Sequence, residues 1–593
     1  MRYYVMCYTR RPDQSLYYEE RLAYSMHLAL KEGEGAFQPL NHNSGVLFAR
    51  ATENEDGSLN PKSLRDPVLY RRPDGGFGVR AVRIEGDGDE EPQPTVLCWS
   101  SEDLIIYKEN PGAADMGQFD GASPQVSYEM EQATGMSLQG SSEAEQFGET
   151  NLQVSSDKKH PCVPLPQACP DGIEGCVPGN VIEISASEAA YLKQKLLTPE
   201  NISVTVPEEV TVSCADDVKK VQAVLGYSDG TSRPCRVDWD CSGIDFSRPG
   251  RYPLRGTVRQ EHFPFPVAYN RADPCVTRWN GKYYFIATND ADDNHTLYIR
   301  EADTLAGLVD APETLLLDSV TYEGIGGLLW APEFHEINGR LYIFHAATPG
   351  EFYCEESHVM ELREGGNPAC RADWSAPKRV QKKDGSYLCE MGKTITLDMT
   401  CFPWEGDYYV VWSQRQFLPK DLGAWLYIAK VNPEKPWQLL TDPVVLSKPD
   451  FGWANNHVFV DEGPFALIRG DRIYLTFSSA LIDYTYVVGY MTIGRGQDLL
   501  DPSSWRKNGY PILSARSVPG EYGTGHNAYV EDEDGVIWNT YHARPGAEGV
   551  RSSGIRRVHF DVDGCPMLDV TEELDLRPEL ARVETAVQVV REE

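Results

Sequence analysis

Asp273, Glu333, Asp398, Glu462 and His526 recur through the second half of the chain, each ahead of a glycine-bearing turn. Their settings are Ala272-Asp-Pro274, Trp330-Ala-Pro-Glu333, Leu397-Asp-Met-Thr-Cys-Phe402, Asp461-Glu-Gly-Pro-Phe465 and Gly525-His-Asn527. Carboxyls at close range raise one another's pKa. Where their environments drive the values apart, the pair becomes an acid and a base. Four acids and a histidine converging on one pocket are more often functional than structural. The sequence must therefore supply an architecture that brings them together.

The turns indicate one. Gly281, Gly339, Gly406, Gly470 and Gly535 stand 58, 67, 64 and 65 residues apart. Each opens a run of aromatic and β-branched residues, such as Lys282-Tyr-Tyr-Phe285 and Asp407-Tyr-Tyr-Val-Val-Trp412. A glycine turn followed by such a run is a hairpin signal. A unit of about four strands cannot bury both faces alone, so a long-period repeat of units must pack unit against unit. Five units closing into a ring predict a five-bladed β-propeller; an ordinary β-sandwich with accidental hairpins is the competing reading. In a propeller the first strand of each blade lies nearest the axis. Equivalent positions on those strands would meet at one end of the channel.

The whole chain reads as all-β. Residues 1–110 form a β-rich module, partly propeller-like, in which Arg65-Asp-Pro67 echoes the opening at Asp273. Residues 111–180 form an irregular linker rich in Gly, Ser, Gln and Glu. Residues 181–262 give a small β-sandwich resembling bacterial immunoglobulin-like domains, 263–570 the propeller and 571–593 a C-terminal tail. A chain of 593 residues suits several domains. The net charge of −34 argues against nucleic acid and anionic membranes. The absence of an export signal or transmembrane run leads to an expected cytoplasmic location. The 14 cysteines then read as reduced thiols. The even spacing of Cys162, Cys169 and Cys176 does not match a zinc site.

With these residues laid out, 263–570 resembles glycoside hydrolase family 43. The Asp-Pro, Trp-Ala-Pro-Glu, Asp and Glu-Gly-Pro openings occur in the family's order and at blade spacing. The resemblance implies Asp273 as general base, Glu462 as general acid and Asp398 as the carboxylate that orients the acid and tunes its pKa. It implies that His526 faces a calcium ion at the axis through water, with no cofactor required. It places Arg544 against substrate. The first opening, Asn270-Arg-Ala-Asp273, departs from a direct Arg-Asp-Pro and leaves the role of Arg271 open.

An inverting glycosidase needs one carboxyl to protonate the leaving oxygen and another to activate water from the opposite face. The two stand roughly 6.5–9.5 Å apart. Blades one and four are not neighbours in a ring of five, which favours inversion. Trp330, Phe402 and Trp453 are candidate stacking partners for a sugar, with Glu333, Gln414, Asn455 and Asn456 as polar contacts. The expectation is an exo-acting enzyme that removes terminal α-L-arabinofuranosyl residues from arabinose-containing oligo- or polysaccharides. The alternatives are a β-D-xylosidase, a non-catalytic carbohydrate-binding propeller and, ranked lower, a retaining fructoside hydrolase.

Overall fold

A computed structural model describes residues 1–13, 18–110 and 172–590. Cys162, Cys169 and most of the expected linker lie outside the described residues. Five antiparallel sheets follow one another from residue 271 to 557. Their first strands are Arg271–Trp279, Gly327–Ile337, Thr394–Trp404, Asp461–Arg469 and Glu521–Glu531. Each packs beside the next, and the fifth packs against the first, closing a ring of five blades. Just before blade 1, Ala268 pairs with Ser553 on the third strand of blade 5. Every turn glycine named above has a positive φ, from 61° to 91°. Only glycine adopts that conformation freely, which is why the hairpin signal was readable.

A second regularity sits near the start of each first strand. The strand-pairing register breaks there, and a residue at the break takes a left-handed φ, with Leu328 and Gly523 adding a second such residue in blades 2 and 5. The residues are Asp273 (52°), Ala331 (45°), Asp398 (53°), Gly463 (54°) and His526 (51°). A bulge of this kind re-aims side chains at the end of a blade. The expectation that all five polar residues occupy equivalent positions is corrected here. Asp273, Asp398 and His526 hold the bulge itself, whereas Glu462 precedes it by one residue and Glu333 follows it by two.

The N-terminal module consists mainly of two four-stranded sheets. One contains Tyr3–Arg10, His27–Glu32, Gln38–Pro39 and Cys176–Ile184; the other runs Lys62–Arg71, Phe77–Glu85, Thr95–Ser101, Lys108–Glu109. The strand at 176–184 pairs with 3–10, and the helix Ala186–Leu196 packs with it. Residues 176–196 thus belong to this module rather than to a linker and sandwich. The second sheet repeats the bulge at Asp66 (φ 53°), but that side chain is 67% exposed beside Arg65 and joins no acidic cluster. Leu22, Met26, Phe48 and Leu64 share one hydrophobic core with Leu426, Trp453 and Phe477 of the propeller. The module is therefore seated on blades 3 and 4 by continuous apolar packing.

The sandwich has a three-stranded sheet (Asn201–Thr205, Ala223–Tyr227, Ser232–Cys235) and a four-stranded one (Glu209–Val212, Arg582–Val589, Gly250–Val258, Val237–Asp240). Leu225 and Tyr227 meet Val237, Val258 and Val583 between them. The expected C-terminal tail is corrected: Arg582–Val589 is a central strand of this sheet, parallel to Glu209–Val212 and antiparallel to Gly250–Val258. Its alternating burial, with Val583, Val587 and Val589 inside, explains the placement. No helix among the described residues is long and apolar enough to cross a membrane, and every described cysteine is a free thiol.

Candidate active site

The bulges bring Asp273, Asp398, Glu462 and His526 together at one end of the propeller axis, with Glu333 beside them. All five are buried or nearly so. Asp273 is the most heavily held. Its Oδ1 lies 3.0 Å from His542 Nδ1, 3.3 Å from His526 Nδ1 and 3.4 Å from an Arg551 guanidinium nitrogen. Its Oδ2 accepts a hydrogen bond from Thr288 Oγ1 at 2.7 Å. Burial alone would raise this carboxyl. The positive charge of His526 and Arg551 and the contact with His542 outweigh it and hold Asp273 well below the ordinary carboxylate range. Asp273 is ionised.

Glu462 is the opposite case. Burial first, and then the charge of Asp398, push it up to about 8, against a 2.8 Å hydrogen bond from Tyr486 Oη that favours the ionised form. Asp398 is raised by burial and by Asp273, with His526 working the other way, to about 6. Asp398 Oδ2 accepts the backbone N–H of Gly463 at 3.0 Å, the residue directly after Glu462. It thus touches the acid's own backbone. His526 is raised by the surrounding acids, Asp273 foremost, against its burial. The arrangement presents one ionised and one protonated carboxyl at the same pH, which is what general acid–base chemistry requires.

Other expected residues distribute unevenly. Trp330 is half-buried and donates its indole N–H to Asn294 Oδ1 at 2.8 Å. It adjoins Ala331, whose N–H donates to Thr288 Oγ1, so it stands two bonds of contact from Asp273. Glu333 lies 2.9 Å from His335 Nε2 on its own strand. Phe402 and Trp453 are core residues, a correction to their reading as sugar contacts. Phe402 stacks on Tyr409, and Trp453 packs between Phe451 and Phe477. Both rings belong to the hydrophobic core that also contains Leu22, Met26 and Phe48 of the N-terminal module. Gln414 accepts from Trp412 Nε1 at 3.4 Å. Asn455 and Asn456 are buried; Arg21 donates to the Asn455 carbonyl, and the Asn456 carbonyl accepts from Leu481 N. Arg544 donates to the carbonyls of Ile482 and Gly549, at 2.7 Å each, pinning two rim loops. Arg271 pairs with Glu313 at 2.6 Å on the flank of blade 1.

Sequence reasoning missed His542, Arg551, Tyr486, Thr288 and Glu355. His542 lies two residues before Arg544, the position the resemblance places against substrate, and carries no motif of its own. Arg551 and Tyr486 lie in or beside loops that carry no motif. Glu355 is fully buried, neither of its carboxyl oxygens has a hydrogen-bond partner among the described residues, and burial together with Asp398 raises it well above the ordinary range.

Among the described residues no group of three His, Cys, Asp or Glu is placed to ligate a metal directly. Calcium takes six to eight oxygen ligands, so these side chains do not form its first coordination sphere. The buried, unpartnered Nε2 of His526 is the atom that would face the water shell of an axial ion.

A ring of five blades with an ionised and a protonated carboxyl at its axis is the framework of a hydrolytic propeller. The model of glycosyl hydrolases family 43 matches residues 263–566, and the chain belongs to that family. It is 30% identical over 317 residues to an extracellular exo-α-(1→5)-L-arabinofuranosidase of Streptomyces avermitilis, covering 51% of this chain and 62% of that protein. It is 32% identical over 283 residues to the protein of the same description from Streptomyces chartreusis, covering 47% of this chain and 81% of the relative. Similarity to α-L-arabinofuranosidase 43 of Humicola insolens is 32% over 307 residues, covering 50% and 61%. The crystal structure of an α-L-arabinofuranosidase from Lactobacillus brevis matches with a TM-score of 0.45 and 29% identity, over 51% of this chain and 94% of that one. The chain thus spans just over three-fifths of the Streptomyces avermitilis and Humicola insolens relatives.

Proposed function

We propose that the chain is an inverting exo-glycosidase that hydrolyses terminal α-L-arabinofuranosyl residues of arabinose-containing oligo- or polysaccharides. The observation that carries the reading is the opposite protonation of Asp273 and Glu462 around one axial cluster. The arabinofuranosidase descriptions of the relatives support the sugar.

Asp273 Oδ accepts a proton from a water molecule as that water's oxygen bonds to the anomeric carbon. The bond from that carbon to the glycosidic oxygen breaks, and the Glu462 proton passes to the leaving oxygen. One inversion results, with no covalent intermediate on the protein. Asp398 fixes the backbone that carries Glu462 and keeps the acid protonated by its charge. Arg551, with His526 and His542, keeps the base ionised. No step of this reading uses a cofactor. The sandwich at 201–258 reads as an immunoglobulin-like spacer.

The test is hydrolysis of 4-nitrophenyl α-L-arabinofuranoside and β-D-xylopyranoside, followed by NMR of the first-formed anomer. Release of arabinose with inversion, lost in Asp273→Asn, is expected. Preferential release of xylose would make it a β-D-xylosidase. Oligosaccharide binding without turnover of either would make it a binding propeller.

A further inference from the structure

A cavity of about 550 Å³ opens where three parts of the chain meet. Its walls are the turn end of blade 4, the helix Ala186–Leu196 of the N-terminal module, and the hairpin His559–Phe560 with Pro566–Met567 that follows blade 5. The volume is in the range of sites that hold small ligands. Glu462 lies at the start of the strand that ends at Arg469 on the cavity edge. Roughly 20 Å of extended chain therefore separates the cavity from the carboxyl cluster.

Strand pairing decides which side chains face it. Arg469 and Arg472 stand directly opposite each other across the Gly470-Asp471 turn. Tyr474 follows Arg472 by two, and its cross-strand partner Thr492 pairs in turn with Arg506. Residues that pair, or that alternate by two, share one face of a sheet. Arg469, Arg472, Tyr474 and Arg506 thus stand on one face of blade 4, and all four line the cavity. Tyr490 and Tyr510, both nearly buried, complete the aromatic wall.

Like charges directly opposite on a hairpin are destabilising. Among the described residues no carboxylate ion-pairs with Arg469, Arg472 or Arg506, although the chain holds 89 Asp and Glu against 55 Lys and Arg. The inner acids of the cavity are already engaged. Asp561 accepts the backbone N–H groups of Asp563 and Cys565, each at 2.9 Å, and pairs with Lys195. Asp563 accepts from Tyr191 at 2.6 Å and from Lys195 at 3.0 Å. Asp569 accepts from Thr198 at 2.5 Å and lies 2.8 Å from His42 Nε2. The cavity is left with a surplus of donors on three guanidiniums. A guanidinium suits the paired oxygens of a phosphate or carboxylate. Exposed Asp471, on the turn itself, has lone pairs suited to a hydroxyl, and tyrosine rings suit the C–H face of a sugar.

We propose that this cavity is a binding site for a monosaccharide carrying one anionic group, phosphate or carboxylate. Arg469, Arg472 and Arg506 would meet the anion, and the tyrosine wall the ring. The site shares no residue with the axial cluster, so it stands or falls independently of the glycosidase reading.

The experiment is calorimetric titration of glucose 6-phosphate, glucuronate, glucose and inorganic phosphate into the full chain, Arg472→Gln and Arg506→Gln. One of the two anionic sugars is expected to bind at least about tenfold more tightly than glucose, and to lose about tenfold in each variant. Added salt should weaken it. Tighter binding of glucose 6-phosphate assigns a phosphate ester, and tighter binding of glucuronate a uronic acid. Failure of both to bind, equal binding of glucose, or unchanged affinity in the variants overturns the site. Inorganic phosphate binding as tightly as glucose 6-phosphate shows an adventitious anion contact and overturns the sugar. Without ligand, Arg472→Gln should keep or raise the thermal midpoint, because it removes a like-charge opposition. A lowered midpoint would assign the arginine to the fold and overturn the proposal.

Discussion

Tyr486 and His542 lie face to face, with ring centroids 5.5 Å apart and planes 7° from parallel. Each holds one of the two carboxyls. Tyr486 donates to Glu462 at 2.8 Å, and His542 Nδ1 lies 3.0 Å from Asp273. The acid of blade 4 and the base of blade 1 are therefore referred to one rigid aromatic pair, supplied by blades 4 and 5. Burial lowers His542 to about 4, so its ring stays neutral while it touches the base.

The alkaline limb of kcat/KM follows from this. The productive form has Glu462 protonated, so activity falls as pH rises through the upper ionisation of the coupled carboxyls, near 8. Tyr486→Phe removes a donor that favours the ionised form and moves the limb to higher pH. Asp398→Asn removes a like charge and moves it to lower pH. A pH–rate profile of the three proteins checks both directions.

Leaving-group dependence separates acid from base. Glu462→Gln should lose about 10²–10⁴-fold on an oligosaccharide, whose sugar leaving group needs a proton. It should lose far less on the 4-nitrophenyl glycoside, whose phenolate leaves unaided. Asp273→Asn should lose comparably on both. Equal losses in Glu462→Gln on the two substrates would remove Glu462 from the acid role.

Arg551 lies against both Asp273 and Asp290, with a 2.8 Å ion pair to the latter. Its charge helps to hold Asp273 ionised. Arg551→Met should raise the pKa of the base, so that activity is lost at higher pH as the solution is acidified. The acid limb of the same profile reads this shift.

Stability should be most sensitive next to the acid. Asp461, the residue before Glu462, is fully buried and accepts from Lys507 at 3.0 Å and from Ser447 and Ser479 at 2.6 and 2.7 Å. Lys507→Met removes its cation and should cost about 3–5 kcal/mol, because one partner of a buried pair is left alone. Denaturant titration would show the loss, and Lys507→Arg should recover part of it.

The N-terminal module reaches the same region from the other side. Glu19 accepts from Tyr484 at 3.0 Å and pairs with His457, while Arg21 donates to Asn455. These contacts hold the loop that leads into the Glu462 strand and the loop that carries Tyr486. Arg21→Ala leaves a buried carbonyl without this donor, at a cost of about 1–3 kcal/mol. The expected result is a lower thermal midpoint and a lower kcat, rather than a lower midpoint alone.

The sequence by itself determined the blades and the order of their chemistry. Turn glycines must be glycine because φ is positive there, so their spacing was legible without coordinates. Asp-Pro, Trp-Ala-Pro-Glu, Asp and Glu-Gly-Pro marked the first strands because bulges and tight approaches restrict residue type locally. What only the tertiary structure decided is set by contacts between distant segments. Trp453 and Asn455 resemble sugar contacts until the N-terminal module is seen packed on them. The strand Arg582–Val589 reads as a tail until it enters a sheet whose other strands lie more than three hundred residues earlier. Asp273 and Glu462 are both carboxyls near the start of a blade's first strand. Their opposite protonation comes from His526, Arg551 and His542 on one and Asp398 with burial on the other. Charge interactions depend on separation in space rather than along the chain, and no local pattern in the sequence records them.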